Sequence, residues 1–294
     1  MKKIVSFALV LLFAGSAFAV ENPWIKKLPF KSATVTYKVA GTMNGSKTLY
    51  VKDYGRTTAE YSTLTMKMFG MAQEQKEIII TTPDWVYTAD LVEGTGTKHV
   101  NMNKYMQEEF NKLSSGDKKK VLKNVEAMGI STIEGMNGTL EKKAETILGY
   151  DCDKVSLMGT TAYNISGSEL PLKIQGDTMG FKISQEAVNL STSGVSVSKF
   201  SLPQGIAFSY DASGDRMMRD QARTAIQNLV EGKPVMAGAA QQAAANDYSQ
   251  ARQAAENQPS GSSDSGRFAG QETNDPAVDE VKEGVQNLFK SIFD

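Results

Sequence analysis

Chemistry in this chain has to come from very few side chains. The sequence holds one histidine, His99, and one cysteine, Cys152, which excludes metal centres and catalytic dyads that need two or more of either. Cys152 stands in Tyr150-Asp151-Cys152-Asp153, where flanking carboxylates push a thiol away from the nucleophilic range, so it reads as a small hydrophobe in a strand. His99 has no patterned nucleophile and reads as an ordinary strand residue. Glu108 and Glu109 are adjacent on a predicted helix, where neighbours do not face one another, so they form no glycosidase pair. GxSxG, GxxxxGK[ST], HExxH and GxGxxG are all missing, and Gly94-Thr95-Gly96 leads into a strand, which is the wrong setting for a phosphate loop. Asn44, Asn137, Asn164 and Asn189 open Asn-x-Ser/Thr triplets, two of which are Asn-Gly turns. The expectation is a protein without enzymatic activity, cofactor or metal.

Apolar recognition remains. Met66, Met68, Phe69 and Met71 crowd the stretch 64–72, and methionine suits surfaces that accept variable apolar partners. Trp85 and Tyr87 alternate on a strand and serve either as core or as pocket lining. With 32 basic against 33 acidic residues, the chain offers no electrostatic footprint for nucleic acid.

These side chains need elements to hold them. From residue 30 to about 202 the dominant period is two, which predicts half-buried strands. Val35, Tyr37 and Val39 fall on one side of the first strand, and Asn44-Gly45 predicts a type I′ turn into a strand over 47–54. Leu49 and Val51 continue the apolar phase there, as Tyr61 does in the next strand. Further strands are predicted at 56–63, 76–82, 85–91, 141–148, 150–157, 161–166, 170–175, 181–190 and 195–202, and helical spacing at 103–128 predicts two short helices. About eleven strands with short connections imply an antiparallel meander too large for a small sandwich. An α+β fold follows: a strongly curved sheet or unclosed β-barrel whose concave face the helices cover.

The ends differ in character. Lys2 and Lys3, the apolar run 4–13 and Ala17-Phe18-Ala19 predict a signal peptide, 1–19, cleaved after Ala19, and hence a soluble periplasmic protein. Val20, rather than a cysteine, follows the cleavage site, so no lipid anchor is expected there. After the half-barrel domain (20–205) come a helical extension (206–257), a Ser/Gly-rich linker (258–277) and an amphipathic helix (278–294). In that helix Val278, Val281, Val285, Leu288 and Ile292 share a face, suited to an envelope protein, a membrane surface or the chain's own groove.

Several segments carry a family resemblance: 33–39, Gly45-Ser46-Lys47-Thr48-Leu49-Tyr50-Val51, 56–61, 77–82, Pro83-Asp84-Trp85-Val86-Tyr87, Ile147-Leu148-Gly149-Tyr150-Asp151-Cys152-Asp153-Lys154 and Leu170-Pro171-Leu172-Lys173. Their order over 30–202 resembles the LolA/LolB-like periplasmic lipoprotein carriers, as a divergent branch. The resemblance implies an unclosed barrel with a helical lid over a cavity that takes a lipid or an acylated protein. Val35, Tyr37, Val39, Leu49, Val51, Tyr61, Met66, Met68, Trp85 and Tyr87 would line it, and Arg56 would latch the lid. The alternative is an envelope scaffold that docks a partner through 278–293.

Overall fold

The structure, a computed structural model, describes residues 22–25, 27–68, 71–135, 137–178 and 181–233. They belong to one compact unit, Leu12–Val235. The expected signal peptide, linker and amphipathic helix, together with the Ala-rich part of the extension, lie outside the described residues.

Six strands run as a first meander: β1 (Ala33–Gly41), β2 (Met43–Lys52), β3 (Thr57–Met68), β4 (Met71–Thr81), β5 (Trp85–Asp90) and β6 (Thr95–Val100). A second comprises β7 (Thr139–Ile147), β8 (Tyr150–Leu157), β9 (Thr160–Ile165), β10 (Pro171–Thr178) and β11 (Phe181–Ser191). They join where β11 pairs antiparallel with β1, and β12 (Phe208–Tyr210) adds to β6 in parallel. The result is one unclosed 12-stranded sheet, order β12-β6-β5-β4-β3-β2-β1-β11-β10-β9-β8-β7. The expected architecture, a curved antiparallel sheet with helices, is therefore present, with one strand more than expected and the meander split in two.

The split follows from the helices. α1 (Met102–Lys112) and α2 (Ser115–Gly135) lead from β6 to β7, near opposite ends of the strand order, so this connection carries the chain from the strand next to one edge of the sheet to the other edge. The Ser114 hydroxyl accepts from the Asp117 N–H, 3.1 Å, and starts α2 as an N-cap. α2 runs past the expected end at 128 to Gly135. α3 (Ala212–Glu231) is capped by Asp211, which accepts from the Ser213 N–H, and ends at Gly232 with φ 71°.

Two local expectations are corrected. Asn44 and Gly45 lie inside β2, and the chain reverses around Thr42, where the Asn44 side chain donates to the Gly41 carbonyl. The expected turn would place Gly45 in the left-handed region, but Gly45 (φ 154°) uses its freedom to pass the Thr63 carbonyl, with which a Cβ would collide. Residues 195–202 form no strand: Val197–Phe200 is a 3₁₀ turn. Their alternation gives way because this segment must cross the sheet, where Phe200, Ile206 and Phe208 pack on Ala59, Ile78, Ile80 and Ala89.

The helices pack on Trp24, Val100 and Trp85 through Tyr105, Phe110, Val121, Ala222, Ile226 and Leu229. The Tyr105 hydroxyl donates to Asp215 and accepts from Arg219, 3.3 Å, whose guanidinium lies 4.5 Å from the ring centroid. Burial and the Asp215 bond push the Tyr105 hydroxyl up to about 12. Tyr105→Phe is expected to cost about 1.5 kcal/mol in urea unfolding, because it removes a hydrogen bond to a charged group and leaves the packing in place.

Candidate ligand site on the inner face

Cross-strand partners share a face of a sheet, so register decides which expected ligand residues can meet. One face carries the rows Ala33–Val51–Thr58, Val35–Leu49–Glu60, Tyr37–Lys47–Ser62, Val39–Gly45–Leu64 and Met43–Met66, with Met68 in phase on β3. The other carries Tyr50–Ala59–Ile80–Tyr87, Tyr61–Ile78–Ala89 and Trp85–Val100. The ten residues therefore do not line one surface. Val35, Tyr37, Val39, Leu49, Val51, Met66 and Met68 share a face; Tyr61, Trp85 and Tyr87 occupy the opposite one.

The first face is the inner one. Val35, Tyr37 and Val51 pack on Ile147, Cys152, Ile165, Leu170 and Leu172, which belong to the far part of the strand order and reach them because the sheet curls. The Tyr37 hydroxyl donates across this space to the Pro171 carbonyl, 3.0 Å. Burial, then the Glu60 charge, hold that phenol far above its ordinary range, so it stays a neutral donor. Leu28 and Phe30 join the same cluster, with Phe30 edge-on to Tyr150 at 6.0 Å. At this end the inner face is filled by the chain's own side chains.

The opposite end is different. Val39, Met43 and Leu64 form a separate small cluster against which Met66 packs. Beside them, in phase with apolar neighbours, stand polar residues: Lys47, 6% exposed, pairs with Glu60 at 2.8 Å, and Ser62 is buried. Gln185 sits opposite Val39 on β11, 5% exposed, and among the described residues its Oε1 has no hydrogen-bond partner. Lys47 and Gln185 were not singled out from sequence, although the signal existed: each is a polar residue in the apolar phase of an alternating strand, Lys47 with Leu49 and Val51, Gln185 with Ile183 and Ala187.

On the outer face, which also carries Trp85 and Val100 where the helices pack, the aromatic residues are spent on packing. Tyr50 meets Tyr61 at 5.5 Å, Tyr87 meets Phe208 at 5.5 Å and Trp85 meets Tyr210 at 5.7 Å, all edge-to-face. The Tyr61 hydroxyl donates to the Lys199 carbonyl, 3.0 Å, and the Lys199 ammonium stands over Tyr50.

Arg56 is exposed at the end of the Asp53–Gly55 turn, and among the described residues its side chain forms no ion pair. The contact that ties helix to helix is instead the one between Tyr105, Asp215 and Arg219. Cys152 is fully buried; burial first, then Glu145, Asp153 and Asp151, raise its thiol pKa, as its sequence context implied. His99 is half-buried, with Nδ1 3.2 Å from the Val100 carbonyl. Among the described residues no group of three or more His, Cys, Asp or Glu could hold a metal, and no helix is long and apolar enough to cross a membrane. A half-open pocket of about 300 Å³ between Asn22, Phe110, Asn111, Ser115, Lys118 and Lys119 lies at the α1–α2 junction and is half polar.

Asp153 organises the free edge at β7. Its carboxylate accepts from Lys142 Nζ (2.8 Å), the Lys143 N–H (3.0 Å) and Ser166 Oγ (2.6 Å). These bonds fall where the β7–β8 register shifts between Glu141 and Glu145, and Lys143 has φ 51°. A bulged, charged edge of this kind resists pairing with a second sheet.

No family model matches the chain, and no curated protein matches it. Among solved structures, an uncharacterized conserved protein from Thermus thermophilus is similar at 8% identity and TM-score 0.37, over 62% of this chain and 92% of that one. PNGF-II is similar at 12% identity and TM-score 0.31, over 65% of this chain and 33% of its own. MucB is similar at 10% identity and TM-score 0.32, over 60% of this chain and 58% of its own. This chain therefore spans a third of PNGF-II and just over half of MucB.

Proposed function

We propose that this chain is an exported, non-enzymatic carrier of the LolA/LolB-like type, which holds the acyl chain of a lipid or an acylated protein on the inner face of its unclosed barrel. The observation that carries this reading is the contrast between the two ends of that face. One end is packed by the large cluster around Leu28, Phe30 and Leu170, whereas the other holds only the small cluster Val39, Met43 and Leu64 with Met66, beside a buried amide oxygen that meets no donor among the described residues. Apolar walls with a few placed polar groups are the common form of a small-ligand site, and each acyl methylene buried there contributes about 0.8 kcal/mol. Export rests on Lys2, Lys3, the run 4–13 and Ala17-Phe18-Ala19. A non-enzymatic role rests on the isolation of His99 and Cys152.

A fluorescent long-chain acyl probe should bind the full chain with a Kd of about 10 μM or tighter, and unlabelled lipid should displace it. Failure to bind across several lipid classes contradicts the carrier reading.

The filled end of the inner face favours a second reading, an envelope scaffold that recruits a partner through Val278, Val281, Val285, Leu288 and Ile292. Deleting 258–294 separates the two. A carrier keeps its probe affinity within about twofold, because no residue of the Val39–Met66 cluster is removed; a scaffold loses its partner in pull-downs and shows no probe binding in either form.

A further inference from the structure

We infer that Gln185 is the polar contact of the acyl site, so that the ligand's head beside the apolar chain is a neutral group with an N–H or O–H donor, an amide foremost, rather than a carboxylate or an ester. This rests on the carrier reading above and adds the chemistry of the head group. Gln185 is 5% exposed and its Oε1 meets no donor among the described residues. Folded proteins leave few buried polar atoms in that state, because an unpaired acceptor loses its hydration without return. A bound donor removes the deficit.

Placement supports the same chemistry. Gln185 lies in the inner-face row Ile174–Gln185–Val39–Gly45–Leu64. Gly45 brings backbone rather than a side chain into the row, against the Thr63 carbonyl, and Gln185 stands next to the Val39–Met43–Leu64 cluster that would hold the chain. Charge argues against a carboxylate. Lys47 is held by Glu60 at 2.8 Å, so a bound carboxylate would bring two more acceptors beside Oε1 and a charge into a buried setting. An ester offers acceptors alone and leaves Oε1 unpaired. A primary amide supplies a donor to Oε1 and an acceptor to the Gln185 amide nitrogen. Sites built around such a bond reject analogues that lack the donor, because the protein's own polar group is then stranded.

The test uses the full chain and two unlabelled ligands of equal chain length, dodecanamide and methyl dodecanoate, each displacing the fluorescent acyl probe. Wild type is expected to bind the amide about tenfold more tightly than the ester. In Gln185→Met, which keeps the volume and removes the unpaired oxygen, the two ligands should bind within about twofold of one another, the amide having weakened to the level of the ester. Gln185→Asn, which retracts the amide by one methylene, should lie between. Equal affinities in wild type, or an amide preference that survives in Gln185→Met, overturns the head-group assignment while probe binding keeps the carrier reading. Absence of probe binding in wild type removes both.

Discussion

Replacing Asp153 with alanine is expected to destabilise the described domain by about 3 kcal/mol, seen as a drop of roughly 10 °C in Tm. Three donors converge on this buried carboxylate, and alanine strands the Lys143 N–H and the Ser166 hydroxyl together. Lys142 is half-exposed and regains water. Asp153→Asn, which retains one acceptor, should cost about 2 kcal/mol. Burial acts to raise the Asp153 pKa, but the bonds from Lys142, Ser166 and the Lys143 N–H outweigh it and hold the carboxyl below the usual carboxylate range. A depressed folded-state pKa adds stability that is fully present above the unfolded value of about 3.9. That stability is lost as pH falls through the lowered value. Urea midpoints between pH 6 and pH 2 should therefore fall less steeply in Asp153→Asn than in wild type. Parallel pH profiles would deny the carboxylate this role. Loss of the bulge also uncovers the β7 edge, so the alanine variant should aggregate faster on warming.

Met66→Trp is expected to weaken acyl binding about thirtyfold, because an indole at the Val39–Met43–Leu64 cluster displaces two or three methylenes of the ligand at about 0.8 kcal/mol each. Met66 is half-buried, so the larger ring has room to adjust and the fold should persist. Tyr61→Leu and Tyr87→Leu make the informative contrast. Both lie on the outer face, packed on Tyr50 and Phe208, so probe affinity should stay within about twofold while stability drops by about 1 kcal/mol per variant. Probe titration with a parallel urea series separates the two effects. A thirtyfold loss in Tyr61→Leu would place the ligand on the opposite face and undo the assignment by register.

Much of the fold was legible because alternation is a local signal. Val35, Tyr37 and Val39 declared the buried face of β1, and Ala222, Ile226 and Leu229 the buried face of α3, through spacing that needs no knowledge of partners. The inert setting of Cys152 was equally local, since the acids that raise its pKa include its sequence neighbours. Face assignment between strands was not local. Tyr61 and Tyr87 are aromatic and in phase within their own strands, as Val35 is in β1, yet only the pairings Tyr50–Ala59 and Ile80–Tyr87 reveal that the apolar side changes between β2 and β3. The register of a hairpin depends on where the chain turns, and Asn44-Gly45 gave a turn signal that the strand absorbed, because the same glycine was needed for a close passage by Thr63. The pairing of β1 with β11 links residues about 150 apart in sequence, beyond the reach of any window, and it is this pairing that places Gln185 beside Val39. Residues 195–202 misled for a related reason: alternation there serves a crossing segment whose partners lie on earlier strands.

Native mass spectrometry of the full chain, purified from its own envelope without detergent, addresses the inner-face site most directly. A carrier whose Val39–Met66 end holds an acyl chain should carry a lipid-sized mass released on activation, and Met66→Trp should arrive largely without it. Wild type found at its bare polypeptide mass, and unable to take up added acyl probes, would contradict an acyl-binding role for this face.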